Sequence, residues 1–297
     1  MQIPTYPEFK HLELDDVKIV KEYLLRYPKN ICEFSLANLF TWRSIGNAQI
    51  TLINDNLCFL MTPEFEPCFF LEPLGEHKIQ ETVQQCLDMT EKMAHVSEAF
   101  IKVIDKAKFT VTPVPENFDY IYQRQDLADL KGRRFDSKRN HINKFKRMYP
   151  NYVCQDFDQS HFSEALKLFD IWHQEKSKKL DQIHPMFGFQ RKIIEEALSL
   201  FGYINFLGRV IYIDNRFCGF IIGSELNSKM IDVHFFYGHP EIPGVYQLLL
   251  NDASKTVFSG YDFLNLEEDL GLKSLQQAKL SYAPQYLEHK YEIRKQT

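Results

Sequence analysis

Apolar residues recur along this chain at two spacings, one helical and one alternating, and the change between them comes in the same order twice. Leu14, Val17, Val20, Leu24 and Tyr27 fall at helical intervals until Pro28 ends the run, and 34–42 reads as a second helix. Strands follow at 48–53 and 57–62. Between them, Asn54, Asp55 and Asn56 accept the positive backbone angles of a tight hairpin. A third strand at 68–71 is stopped by Pro73 and Gly75, and Ile79, Val83, Leu87 and Thr90 then mark a helix to residue 95. Further strands are expected at 100–104 and 118–122, with a short helix near Lys106 between them.

Past residue 155 the order repeats. Helices at 160–178 and 187–201 precede strands at 205–213, 217–225 and 229–237. A helix at 244–258, a strand at 261–266, a short helix at 272–279 and a strand at 287–293 come next. Residues 53–58 (Ile-Asn-Asp-Asn-Leu-Cys) align with 213–218 (Ile-Asp-Asn-Arg-Phe-Cys) at an offset of 160, hairpin turn upon hairpin turn. The expectation is an α/β (α+β) chain of two tandem domains of one design, each a mixed, mostly antiparallel sheet flanked by helices. The expected boundaries are 1–125 and 156–297, with a basic linker helix at 126–155.

Charge sharpens the junction. Eight cations (Lys131, Arg133, Arg134, Lys138, Arg139, Lys144, Lys146 and Arg147) against Asp136 give +7 over 131–147, whereas the whole chain carries −5 and the remainder −12. Such concentration in an acidic chain suits an anionic partner. Phe135, Ile142, Phe145 and Tyr149 would make one apolar stripe on a helix, so the segment is expected to be docked. A merely solvated charged face is the other reading. With 297 residues, 44% apolar and 25% charged, the chain is globular and long enough for two cores. Its six cysteines lack C-x-x-C spacing, so neither a disulfide framework nor a zinc site is expected. There is no basic and apolar leader and no run of eighteen apolar residues, so a cytoplasmic protein without a membrane span is expected.

The element order is similar to the GNAT acyltransferase fold, and two in tandem resemble the Fem-type aminoacyltransferases. Residues 132–145 (Gly-Arg-Arg-Phe-Asp-Ser-Lys-Arg-Asn-His-Ile-Asn-Lys-Phe) resemble the family related to the soluble C-terminal domain of phosphatidylglycerol lysyltransferase. So do 265–272 (Asn-Leu-Glu-Glu-Asp-Leu-Gly-Leu), 278–284 (Ala-Lys-Leu-Ser-Tyr-Ala-Pro), and Lys290 with Tyr291. The resemblance covers the linker and most of the second half. It implies tandem GNAT-like acyl-CoA N-acyltransferase domains and, for characterised relatives, transfer of an aminoacyl group from aminoacyl-tRNA to a lipid or peptide acceptor. At 274–277 the chain reads Ser-Leu-Gln-Gln where the family pattern carries an arginine.

Such a transfer needs a protein that orients an activated ester, steadies the developing oxyanion and accepts a proton. Asp232 and His234 stand two apart on an expected strand and so share a face, with His234 as general base; a packed, hydrogen-bonded histidine is the alternative. Glu267, Glu268 and Asp269 follow a strand. They suit the dipole of the next helix, yet three adjacent like charges also call for a cation such as a substrate amine, Lys279 or the basic linker. Catalytic candidates are therefore His234, Asp232, Glu267 and Glu268. Candidate substrate-binding residues are Lys131, Arg134, Lys138, Arg139, Asn140, Lys144, Tyr237, Asp269 and Lys279, and no metal site is expected.

A CoA pyrophosphate needs backbone amides at a helix N-terminus. Residues 239–246 offer one glycine, lose two amides to Pro240 and Pro243 and add the negative Glu241, which disfavours acyl-CoA. No resident cofactor is assigned, and aminoacyl-tRNA is the co-substrate the resemblance implies. The leading expectation is soluble acyl transfer from aminoacyl-tRNA to a lipid, peptide or small-molecule acceptor, with tRNA and an anionic small molecule or lipid headgroup as partners. A CoA-dependent N-acetyltransferase is one alternative. A non-catalytic anion- or RNA-binding protein on the GNAT fold is the other, and the absent arginine favours it.

Overall fold

In the computed structural model, which describes residues 2–64, 66–178 and 188–296, two hairpins turn on the same chemistry. Asn54 and Asp55 make one turn and Asp214 and Asn215 the other, all four at positive φ, which these side chains tolerate. Each hairpin belongs to its own seven-stranded sheet.

The first sheet begins as an antiparallel meander of β1 (Lys10–His11), β2 (Gln49–Ile53), β3 (Asn56–Met61) and β4 (Phe69–Phe70). Helices α1 (Val17–Arg26) and α2 (Leu36–Thr41) lie between β1 and β2 in the chain. Helix α3 (Ile79–Met89) then crosses to β5 (Met93–Ser97), which pairs parallel with β4. After α4 (Glu98–Ile101) and β6 (Phe109–Pro113), β7 (Asp119–Gln123) belongs to the second sheet.

Helices α5 (Arg124–Asp129) and α6 (Asp136–Met148), strand β8 (Tyr152–Asp156) and helices α7 (Phe162–Ser177) and α8 (Gln190–Ser199) lead to the second meander. It comprises β9 (Phe206–Ile213), β10 (Arg216–Asn227) and β11 (Met230–Gly238). Helix α9 (Val245–Lys255) crosses to β12 (Phe263–Asn265), parallel to β11, and α10 (Lys273–Leu280), β13 (Tyr286–Glu288) and β14 (Lys290–Lys295) follow. The sheet orders are β1-β2-β3-β4-β5-β14-β6 and β13-β7-β12-β11-β10-β9-β8. Both are mixed, mostly antiparallel sheets with flanking helices, the tandem design expected. Among the described residues, those up to Tyr120, with Glu267–Gln276 and those from Leu287 on, form one compact unit; Ile121–Leu266 and Gln277–Tyr286 form the other.

Three local expectations need correction. The strand expected at 100–104 is instead the helical turn α4, because the Ser97 hydroxyl accepts the Phe100 amide and starts a helix there. The strand lies earlier, as β5. Near Lys106 a turn leads into β6, whose alternation of Phe109, Val111 and threonines reads as a strand. The closing strand at 287–293 is broken at His289 into β13 and β14, which lie in different sheets. Phe187 of the helix expected at 187–201 lies outside the described residues, and α8 occupies the centre of the rest.

The basic segment is a docked helix. Phe135, Ile142 and Phe145 are buried and Tyr149 is half-buried, as the stripe requires. Gly244 heads α9 with φ at 89°, and a Cβ there would stand 2.7 Å from the His141 carbonyl oxygen of α6. Gly244→Ala should therefore lower stability by about 1–3 kcal/mol, from positive φ plus the clash. Urea unfolding measures it, and an unchanged midpoint would mean that α6 does not seat on α9.

Candidate active site

In the second unit, β10 and β11 pair Ile222 with Phe235 and Gly223 with Val233, leaving His234 as the extra residue of a β-bulge. Ser224 stands opposite Asp232. The bulge brings His234 Nε2 to 2.8 Å from Ser224 Oγ and Nδ1 to 3.5 Å from Asp232 Oδ2. All three side chains are buried. Gly223 permits the close approach, since a Cβ there would lie 2.5 Å from the Asp232 carbonyl oxygen. A carboxylate beside Nδ1 favours the proton on that nitrogen, so Nε2 accepts a hydrogen bond from the Ser224 hydroxyl. Simple alternation would also place Asp232 and His234 together, but it does not contain the bulge or Ser224.

Tyr237, at the end of β11, packs its ring edge against Phe169 and Trp172 and reaches Gln190 Oε1 at 3.4 Å. Several cations of the basic segment are engaged within this same unit. Lys131 pairs with Asp129 at 2.7 Å, and Arg134 pairs with Asp126 at 2.5 Å while lying over the Phe135 ring. Arg139 binds Asp136 and the carbonyls of Leu130 and Gly132. Lys138 is buried, donates to Ser281 Oγ at 2.5 Å and sits 3.7 Å from the Tyr282 ring centroid, and burial pulls its pKa down. Asn140 and Lys144 are exposed, as are Arg133, Lys146 and Arg147. Lys279 donates to the Leu266 carbonyl at 2.5 Å.

The first unit holds a second concentration of chemistry. Lys290, at the start of β14, is fully buried, and its ammonium lies 2.7 Å from both Asp119 and Glu33 and 3.7 Å from Glu268. Cys32 Sγ is 3.3 Å away, and the Cys32 amide donates to Asp119 at 2.8 Å. Lys290 is thus one cation that faces Glu268. Glu267, at φ 59°, accepts from Asn38 Nδ2 at 2.9 Å. Asp269 accepts from the Tyr120 hydroxyl at 2.5 Å, the Gly271 amide at 2.8 Å and Gln276 Nε2 at 3.3 Å. Gln276, near the family's arginine position, thereby helps hold a loop in which the non-glycine Leu270 sits at positive φ, the kind of strain that persists only where surroundings over-determine it, while Gly271 takes positive φ freely.

One ammonium cannot offset three carboxylates equally. Burial pushes the Asp119 carboxyl up to about 6, with Glu33 and Glu268 adding to it against the pull of Lys290. Glu33 goes the other way: burial opposes, but Lys290 and the His95 ring, 2.6 Å off, hold it well below the usual range. The His95 ring is raised by Glu33 in return, against its own burial.

Nearby Glu288 is pushed up to about 7, first by burial and then by Asp119, Glu98 and Glu72. A raised carboxyl takes up a proton on folding between its usual 4.5 and that value, so stability falls as pH rises through this window. Glu288→Gln should match the parent below pH 4.5 and exceed it above pH 7 by about 2 kcal/mol, after allowance for partial exposure. Melting curves against pH test this. Parallel curves would remove the carboxylate penalty.

A family model described as phosphatidylglycerol lysyltransferase, C-terminal, matches residues 25–294. A crystal structure of a conserved protein of unknown function from Bacteroides thetaiotaomicron is 27% identical at a TM-score of 0.89, covering 99% of this chain and 100% of that one. The L-PGS of Bacillus licheniformis shares the fold at a TM-score of 0.62 and 13% identity, over 99% of this chain and 94% of that one. FemX shares it at 0.58 and 8%, over 96% of each. An uncharacterized protein of Mycoplasmoides gallisepticum is 21% identical over 193 residues, 64% of this chain. The chain spans 60% of the length of that curated relative. No helix among the described residues is long and apolar enough to cross a membrane.

Proposed function

The chain belongs to the phosphatidylglycerol lysyltransferase C-terminal family, and on that premise we propose that it moves an aminoacyl group from aminoacyl-tRNA to a lipid, peptide or small-molecule acceptor. The observation that carries this reading is the bulge on β11, which sets His234 between Asp232 and Ser224. Bulges re-aim side chains beside active sites, and a histidine oriented by a carboxylate is what proton removal from an acceptor needs. The ester of aminoacyl-tRNA is already activated, so orientation and proton transfer supply most of the catalysis. Asp232 orients His234. The catalytic candidates Glu267 and Glu268 lie in the other compact unit, where Glu267 accepts from Asn38 and Glu268 faces Lys290.

Exposed Lys144, with Arg133, Lys146 and Arg147 around it, supports phosphate contact with tRNA or a lipid headgroup. Lys131, Arg134, Lys138 and Arg139 contribute to that surface through the contacts that hold the segment. The seating of α6 on Gly244, together with Pro240, Pro243 and Glu241, supports a donor other than acyl-CoA. Acetyl-CoA is expected to bind more weakly than ~1 mM.

The test is incubation of the purified chain with radiolabelled aminoacyl-tRNA and vesicles containing phosphatidylglycerol, or with peptide and small-molecule acceptors. Label should move to an acceptor in a His234-dependent way. Absence of transfer to any acceptor, with micromolar acetyl-CoA binding by calorimetry, would replace the proposal with CoA-dependent acetylation. Gln276 near the family's arginine position favours one further reading, tRNA binding without transfer, which the same experiment separates.

A further inference from the structure

Ser224 is a buried hydroxyl in a strand otherwise made of apolar and small residues over Phe220–Gly223, and two register shifts bracket it. One falls between Ile222 and Gly223 and the other between Glu225 and Asn227, so the ladder is irregular on both sides of this residue. Its Oγ lies on His234 Nε2 at 2.8 Å while Asp232 faces Nδ1. Both ring nitrogens therefore face a side chain. The group that faces Nε2 is the one placed to give a proton to that nitrogen and take another in its place. A carboxylate beside Nδ1 cannot do this for Nε2, and a hydroxyl can.

We propose that Ser224 is the proton relay of the site, the catalytic residue through which His234 exchanges its proton with the reacting group. The proposal rests on the transferase reading above. In that reaction the acceptor's O–H or N–H gives its proton to Ser224 Oγ as the serine proton passes to His234 Nε2. The acceptor atom bonds to the aminoacyl carbonyl carbon, and the bond from that carbon to the ribose oxygen of the tRNA breaks. The proton then returns from Nε2 through Ser224 to the ribose oxygen, so no proton is gained or lost overall. Asp232 keeps Nδ1 protonated throughout, and its role is to position the ring.

The test begins without activity. In the full chain labelled with 15N-histidine, with His234 assigned by comparison with His234→Gln, the wild type should show the tautomer protonated at Nδ1. Ser224→Ala should shift the His234 ring signals, and Ser224→Thr should restore them. In the transfer assay, Ser224→Ala should lower kcat roughly 10²-fold with KM within about twofold, and Ser224→Thr should recover most of the loss. Rates in mixtures of light and heavy water should curve for the wild type, with more than one proton in flight, and become linear for Ser224→Ala. A serine that only packs would lower the melting temperature and leave kcat and that curvature alone. An Nε2-protonated tautomer in the wild type, or equal kcat for wild type and Ser224→Ala, overturns the relay. If no acceptor accepts label while the tautomer and its dependence on Ser224 are as expected, the transferase reading falls and the Ser224–His234 coupling stands.

Discussion

Replacing Lys290 with methionine should cost the fold about 3–5 kcal/mol at neutral pH, because it leaves buried carboxylates without their cation. Asp119 and Glu33 would face each other across the vacated position, with Glu268 close by. Methionine keeps most of the length and apolar surface of the lysine stem, so the loss reports charge more than packing. The deficit should shrink as pH falls from 7.5 to 5. Without the ammonium these carboxyls rise further in the folded state, and a raised group contributes its stability fully below its unfolded value and loses it as pH climbs through the folded one. Asp119 already lies near 6 with Lys290 present, which places the recovery at mildly acidic pH. Adding Asp119→Asn to Lys290→Met should restore part of the loss at pH 7.5 and little at pH 5. Urea unfolding of the two variants at both pH values measures this. A single-variant loss below ~1 kcal/mol at pH 7.5 would mean that the three carboxylates do not depend on Lys290.

The second large effect is on chemistry. On the proposed mechanism His234→Gln should lower kcat by roughly 10²–10⁴-fold, the range that a positioned base supplies. Glutamine can still bond Ser224 and Asp232, so the fold should survive. Asp232→Asn should fall almost as far, because the amide no longer fixes the proton on Nδ1 and the ring can present the wrong nitrogen to Ser224. Circular dichroism and melting temperature establish that both variants are folded, and steady-state transfer rates give the effect. Near-normal transfer by folded His234→Gln would remove His234 from the reaction and the relay with it.

Much of the architecture was legible because its causes are local. The paired turns at Asn54–Asp55 and Asp214–Asn215 follow from residues that accept positive φ, wherever the strands go afterwards. The stripe of Phe135, Ile142 and Phe145 marks one face of α6 by spacing alone. Where two local signals competed, apolar composition misled. Residues 100–104 (Phe-Ile-Lys-Val-Ile) are rich in strand-favouring side chains, but the Ser97 cap starts a helix, and one hydroxyl placed three residues before an amide outweighs that weak preference. Charge counting at 131–147 also omitted Asp126 and Asp129, which lie outside the window yet pair with Arg134 and Lys131.

The amino-acid sequence by itself determined the two meanders, their hairpins, the docked basic helix and the family. Those properties depend on residues within a few positions of one another, or on motifs carried as strings. Only the tertiary structure decided which sheet receives each late strand, and with it the sites. Strand β14 lies between β5 and β6, an interior position in which Lys290 and Ile293, set on opposite faces by their spacing of three, are both buried. Likewise Ser224 meets His234 only because one residue of β11 bulges out of the ladder. Strand pairing and bulges arise from contacts between residues distant in sequence, and the energy that selects them is the burial and polar matching of the whole sheet, which no single segment contains.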